Sequence, residues 1–193
     1  MTSTDHQDHH RRSIRLKGYD YTLPGGYFIT LVTWGRVCLF GELVRGEVEL
    51  SVAGKIVREE WFTTGEIRLN VELNEDEFII MPNHVHGIIW ITDKTDDVIG
   101  VGAQRRCAPT KTMTDAYVVP GSLGAIVRAF KSATTRRINA LNGTPGAPVW
   151  QRNYYEHIIR NESELDEIRA YVRNNPLQWE LDHENPTQFP NPG

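Results

Sequence analysis

The chain has 193 residues, of which 39% are hydrophobic and 24% charged, a size and composition that suit one compact domain with tails. No run approaches the roughly 20 apolar residues of a membrane span, and the polar start lacks a signal-peptide pattern, so we expect no membrane partner and a cytoplasmic location. The formal net charge of -4 argues against a nucleic-acid binder on its own, but the segment from Ser122 to Arg160 has Glu156 as its only acid and is strongly basic.

The first half of the chain predicts a tail, a strand and a helix. Residues 1–17 are polar and aperiodic and are predicted to be flexible. A central strand is predicted over Tyr27–Val37, which is aromatic and β-branched almost throughout and follows a Pro-Gly-Gly turn. A helix is predicted over Val52–Thr64, with Ser51 as its N-cap.

The second half predicts three more strands and two helices. The runs Glu77–Met81 and His84–Thr92 read as buried strands separated by Pro82-Asn83. Residues 93–120 are low in apolar side chains and are predicted to be a long mobile insertion. The remaining predicted elements are a helix from Ser122 to about Leu141, a strand over Asn153–Arg160 and a helix from its cap Ser163 to Asn174.

This order of elements predicts an α+β fold, with helices packed on a largely antiparallel sheet. We place the single domain at residues 18–180 and a C-terminal tail at residues 181–193.

Two histidines in the second of these strands form a candidate metal site. Because side chains alternate along a strand, His84 and His86 lie on one face and Val85 on the other. Their positions are roughly 6.5 to 7 Å apart along the strand, so both rings can reach one ion. The same pair also fits two hydrogen-bonded histidines in a core.

The last predicted helix carries a second candidate pair. Tyr171 and Asn175 are four residues apart and therefore share a helix face. A phenol there can act as a nucleophile, and an amide oxygen is a hard metal ligand. Core packing of the tyrosine and helix termination by the Asn-Asn-Pro triplet explain the same residues without any chemistry.

Four segments together carry a more specific signal than either pair does alone. They are MPNHVHGIIW at 81–90, VWQR at 149–152, YYEHIIR at 154–160 and YVRNNP at 171–176. In this order they resemble the REP-associated tyrosine transposases, which belong to the IS200-like single-tyrosine branch of the HUH nucleases. The resemblance extends from about Tyr27 to Trp179.

The resemblance implies a fold, a reaction and a set of residue roles. The fold is ferredoxin-like, with helices on one face of the sheet. The reaction is metal-dependent cutting and rejoining of single-stranded DNA through a 5′-phosphotyrosine, on REP-like hairpins in transposition. Tyr171 takes the role of nucleophile, while His84, His86 and Asn175 take those of ligands to Mg²⁺ or Mn²⁺. Tyr154 and Tyr155 are interpreted as packing or DNA-contact residues, which strand alternation sends to opposite faces.

Residues that contact DNA are expected on the basic helix and in the motif segments. The partner is single-stranded or hairpin DNA, and a monomer and a homodimer are both compatible with the sequence. The expected DNA-binding residues are Arg128, Lys131, Arg136, Arg137, Trp150, Gln151, Arg152 and Arg160.

Three other interpretations of the histidine pair and the fold remain. A catalytically silent protein that binds DNA hairpins would have the same fold. A histidine-triad nucleotide hydrolase also uses alternating histidines, but it needs a third one where this chain has Ile88. A cupin-like metal site would need many more short strands than the sequence contains.

Overall fold

The structure is a computed structural model that describes residue 16 and residues 18–94, 119–182 and 184–186. The predicted N-terminal tail and the predicted insertion at 93–120 therefore lie almost entirely outside the described residues. Among the described helices, none has both the length and the apolar character that crossing a membrane requires.

Seven strands and three α-helices make up the described chain. The strands are β1 (Gly25–Val32), β2 (Gly41–Val44), β3 (Glu47–Leu50), β4 (Val71–Glu72), β5 (Phe78–Ile80), β6 (His84–Ile91) and β7 (Tyr155–Ile159). The α-helices are α1 (Val52–Glu66), α2 (Leu123–Asn142) and α3 (Glu162–Asn174). Short 3₁₀ helices occupy Trp34–Arg36, Glu75–Glu77 and Asn175–Leu181.

The main sheet has β1 and β6 at its centre, paired antiparallel along their whole length. β7 pairs antiparallel with the free edge of β1, and β4 and β5 pair antiparallel with different parts of the outer edge of β6. The prediction of an α+β fold with a largely antiparallel sheet is confirmed.

The structure differs from the predicted elements in several details. β1 ends at Val32 instead of Val37, because the chain turns into a 3₁₀ helix in which Gly35 has a φ of 65°. α3 starts at Glu162, since Asn161 rather than Ser163 is its N-cap and accepts a hydrogen bond from the Glu164 amide. The hairpin of β2 and β3 was not predicted, although Arg45-Gly46 forms its turn with both φ angles positive, as a two-residue type I′ turn requires.

Different helices cover the two faces of the sheet. Tyr27, Ile29 and Leu31 point into the larger core, which α1 and α2 cover. Gly87 faces the same core, where a Cβ atom would lie 2.5 Å from the Trp61 ring, so this position requires glycine. The Trp61 indole can pack closely on β6 only because Gly87 has no side chain.

The opposite face of the sheet is covered by α3. Phe28 and Ile88 form a smaller apolar cluster there with Val172 of α3. The expectation that the helices lie on one face is therefore wrong, because the alternation in β1 and β6 leaves two apolar faces to be buried. The face under α3 is the one that carries the candidate site.

Candidate metal and nucleophile site

The two histidines of β6 lie side by side on the face of the sheet covered by α3. In the register of the central strands, His86 is opposite Thr30 and His84 is opposite Val32. Both imidazoles are buried, and their Nε2 atoms are 2.9 Å apart. The predicted convergence of these two rings is therefore observed.

The other nitrogen of each ring has a partner that orients it. The Nδ1 atom of His84 is 2.9 Å from Asn83 Oδ1, an acceptor, so this nitrogen carries the proton and Nε2 presents a lone pair. The Nδ1 atom of His86 is 2.8 Å from the Thr30 hydroxyl. Partners of this kind orient the rings of metal-binding histidines.

Burial keeps both imidazoles neutral at pH 7. It lowers the pKa of His84 to about 3. It also lowers the pKa of His86 well below the ordinary value, an effect to which the neighbouring His84 adds. Neutral imidazole is the form that binds a metal.

Tyr171 of α3 and Asn175, the first residue of the following 3₁₀ helix, lie on the same side and both reach the histidines. The Tyr171 hydroxyl is 3.3 Å from His86 Nε2, and its ring meets the ring of Phe28 edge to face. The Asn175 Nδ2 atom is also 3.3 Å from His86 Nε2. The buried Oδ1 atom of Asn175 has no hydrogen-bond partner in the described part of the chain.

Asp182 is a member of this cluster that the sequence did not reveal. It follows the 3₁₀ helix Asn175–Leu181, within the predicted C-terminal tail, and its Oδ2 atom is 3.7 Å from His84 Nε2. No local sequence pattern indicates Asp182; the fold brings this segment to the site, where the Trp179 ring packs 5.9 Å from that of His84. The chain after residue 180 therefore contributes to the site.

The residues present fit a divalent cation. Ligand atoms of His84, His86 and Asp182 all lie within 4.8 Å of one another. The 2.9 Å between the imidazole nitrogens matches the separation, about 2.9 Å, of adjacent ligands around an octahedral ion. The unpartnered oxygen of Asn175 offers a further ligand after rotation of its amide group.

Tyr155 shares the cleft in which Tyr171 lies. β7 begins at Tyr155, opposite Thr30, so this side chain is on the face of His86, whereas Tyr154 packs against the larger core. The cleft has a volume of about 560 Å³ and is lined by both Tyr155 and Tyr171. Burial and then Asp182 raise the pKa of Tyr171, so its phenol is protonated at neutral pH.

Four of the expected DNA-binding arginines are exposed and available for contacts. Arg128 and Arg136 lie on α2, and Arg152 and Arg160 lie on either side of β7. Arg137 is also exposed but forms ion pairs of 2.6 Å with Glu59 and 2.9 Å with Glu60 of α1. Its charge is therefore already neutralised within the protein.

Three other expected DNA-binding residues have structural contacts. The Lys131 ammonium donates to the backbone carbonyls of Gln151 and Asn153. The backbone amide of Gln151 donates in turn to Val32. Trp150 is buried, and its indole nitrogen donates to the Thr134 hydroxyl. These contacts anchor the segment before β7 on α2 and β1.

Comparisons with known proteins identify a close relative and a shared fold. No model of a known protein family matches the chain. An uncharacterized protein of Haemophilus influenzae is 40% identical over 174 residues, which cover 90% of this chain and 92% of the relative.

Two solved structures are similar at low sequence identity. One, a REP-associated tyrosine transposase bound to a REP hairpin, has a TM-score of 0.54 and 17% identity, covering 85% of this chain and 74% of that one. The other, from Deinococcus radiodurans, has a TM-score of 0.42 and 18% identity, covering 83% and 95%. The first shares the fold of this chain, in agreement with the resemblance carried by the four sequence motifs.

Proposed function

We propose that this chain cuts and rejoins single-stranded DNA. It belongs to one family with the Haemophilus influenzae protein and has the fold of a REP-associated tyrosine transposase. In this proposal the chain is a tyrosine transposase that acts on hairpin DNA and forms a covalent bond to it through Tyr171.

One observation carries the proposal. The Tyr171 hydroxyl lies 3.3 Å from His86 Nε2, at the point where two neutral imidazoles and the Asp182 carboxylate converge. A nucleophile beside a group of metal ligands is an arrangement that supports metal-assisted phosphoryl transfer. Core packing alone does not account for it, because Tyr171 is 42% exposed and lines an open cleft.

His84, His86 and Asp182 would hold the cation, with Asn175 as a further ligand. Mg²⁺ or Mn²⁺ bound there would polarise the scissile phosphate and stabilise the negative charge that develops on its oxygens. The partners Asn83 and Thr30 would keep the two imidazoles oriented with their Nε2 atoms toward the cation.

Tyr171 would perform the covalent step. Its oxygen bonds to phosphorus and its proton is lost, while the bond from phosphorus to the 3′ oxygen breaks. The products are a 5′-phosphotyrosine and a 3′-hydroxyl, whose oxygen gains a proton. One phosphodiester is exchanged for another, so attack by a second 3′-hydroxyl rejoins strands without an external energy source.

The test is the identity of the DNA-linked residue. Labelled single-stranded hairpins from the flanks of the encoding gene are incubated with protein and Mg²⁺ or Mn²⁺, and a covalent product is sought on denaturing gels. We expect Tyr171→Phe to bind hairpin and form no adduct. Tyr155→Phe, the matched control in the same cleft, should still form it. Peptide mapping that finds the DNA on Tyr155 would contradict the assignment.

A non-catalytic protein that binds DNA hairpins is the second candidate. The observation in its favour is that Asp182 lines the cleft, where its carboxylate would repel a scissile phosphate in the absence of a cation. Hairpin binding without any covalent product in the presence of Mg²⁺ or Mn²⁺ would select this candidate.

A further inference from the structure

A larger cavity lies on the other side of the sheet from the tyrosine cleft. It has a volume of about 800 Å³ and is formed by the C-terminal half of α2 and the segment that follows it, up to Arg152. This volume is within the range of small-molecule sites. The cavity shares no lining residue with the cleft that holds His86 and Tyr171.

The chemistry of its lining is apolar with a cationic rim. The exposed side chains of Ala140, Pro145 and Pro148 supply apolar surface, while Lys131, Arg136 and Arg152 supply positive charge. None of the residues that line it is Asp or Glu. The apolar surface suits a flat aromatic ring, and the cations suit a phosphate attached to it.

Hydrogen bonds hold the wall of this cavity in place. Asn139 is buried on α2, where its Nδ2 atom donates to the Ala147 carbonyl and its Oδ1 atom accepts from the Thr144 hydroxyl. Lys131 holds the opposite wall through the Gln151 and Asn153 carbonyls. A wall fixed in this way is formed before any ligand arrives, which limits the entropy lost on binding.

The cavity and the tyrosine cleft lie at opposite ends of one short stretch of chain, residues 151–155. Gln151 lines the cavity and is bonded to Val32 at the end of β1, whereas Tyr155 lines the cleft and pairs with Thr30. Four residues of extended chain span at most about 14 Å. Arg152, which is exposed, lies between the two along the chain.

From these observations we propose that the cavity binds one unpaired nucleotide of the DNA strand, with its base against Pro145 and Pro148 and its phosphate at Arg136 and Arg152. The proposal rests on the DNA-processing function, whose site it extends. In this proposal the cavity holds a nucleotide close to the one that is cut, and the DNA strand passes over Arg152 between the two sites.

The first test measures binding of small probes. The four 2′-deoxynucleoside 5′-monophosphates, the four deoxynucleosides and inorganic phosphate are titrated into the protein in separate experiments. We expect at least one monophosphate to bind at least tenfold more tightly than its nucleoside and than phosphate. Phosphate bound as tightly as every monophosphate would overturn the proposal, because the cavity would then be an anion site only.

A substitution that fills the cavity assigns the binding to it. Ala140 is exposed on α2 and lines the cavity, so Ala140→Phe should occupy the space without disturbing the core and weaken monophosphate binding at least tenfold. Ala129→Phe is the matched control, since Ala129 is also exposed on α2 but does not line the cavity. Equal affinity in the two variants would overturn the proposal.

A photochemical experiment separates this proposal from the proposed function. An oligothymidylate with one 5-bromodeoxyuridine is crosslinked to the Tyr171→Phe variant, and the linked peptide is mapped. We expect a crosslink within residues 139–152, lost in Tyr171→Phe/Ala140→Phe and kept in Tyr171→Phe/Ala129→Phe. Crosslinks elsewhere, with normal Tyr171 adducts in the parent protein, overturn the cavity proposal alone. The expected crosslink without any Tyr171 adduct supports the cavity and overturns the cutting function.

Discussion

The fully buried Glu77 carboxylate accepts two hydrogen bonds from Arg169, at 2.9 Å from Nε and 2.6 Å from Nη2. Its other oxygen accepts from the indole nitrogen of Trp90 at 2.7 Å and from Asn74 at 2.8 Å. Arg169 is two residues before Tyr171 on α3, and Trp90 is on the strand that carries His86. This network therefore ties the helix of the candidate nucleophile to the strand of the candidate ligands.

Removal of the Arg169 guanidinium should weaken the network that joins α3 to β6. Arg169→Leu leaves the Glu77 charge buried without its cation, and we expect the free energy of unfolding to fall by about 3 kcal/mol in urea titrations. Adduct formation at Tyr171 should also slow at temperatures where the variant is fully folded. Arg173→Leu, one turn later on the same helix and exposed, is the control. Equal losses in both variants would show that Arg169 has no special role.

Loss of a histidine ligand and loss of the amide ligand should affect the metal site to different extents. His84→Ala and His86→Ala should each reduce Mn²⁺ affinity in calorimetry by more than about 100-fold, because loss of supporting partners alone costs 10- to 100-fold. Asn175→Ala should reduce it less than either histidine change. For the parent protein, Mn²⁺ at about 100 times its dissociation constant should stabilise the fold by about 2.7 kcal/mol. Stabilisation of that size in the histidine variants would place the ion elsewhere.

The exposed arginines should differ in their contribution to DNA binding. Each phosphate contact on a single strand contributes about 0.7 to the slope of log affinity against log salt. Arg128→Gln and Arg136→Gln should therefore each reduce the slope by about that amount. Arg137→Gln should leave it nearly unchanged, because Glu59 and Glu60 already neutralise this cation. Identical slopes for all three variants would contradict this distinction.

Nucleotide binding in the larger cavity should depend on pH through Lys131. Burial lowers the pKa of this ammonium to about 8, so it is charged at pH 7 and loses its charge as the pH rises through 8. Affinity for a deoxynucleoside monophosphate should therefore fall between about pH 7 and 9, a range above the second ionisation of the phosphate near 6. Lys131→Arg should abolish that fall, since arginine stays protonated throughout. A pH profile unaltered by this substitution would exclude Lys131 as the titrating group.

Local patterns in the sequence were enough to place the two central pairs of the site. Alternation along a strand predicts that His84 and His86 share a face, and the helical spacing predicts the same for Tyr171 and Asn175. Both predictions depend only on residues two or four apart, whose relative positions follow from the type of secondary structure. The class of fold followed from the same patterns.

Tertiary structure decided which other groups these pairs meet. Asp182 reaches His84 from beyond the predicted end of the domain, and Arg169 finds Glu77 across 92 residues of chain. Tyr155 shares the cleft of Tyr171, and Arg137 forms an ion pair with Glu59 of α1. No local periodicity encodes such contacts, because the partner of a buried or paired charge depends on how distant segments pack and on which groups remain exposed to water.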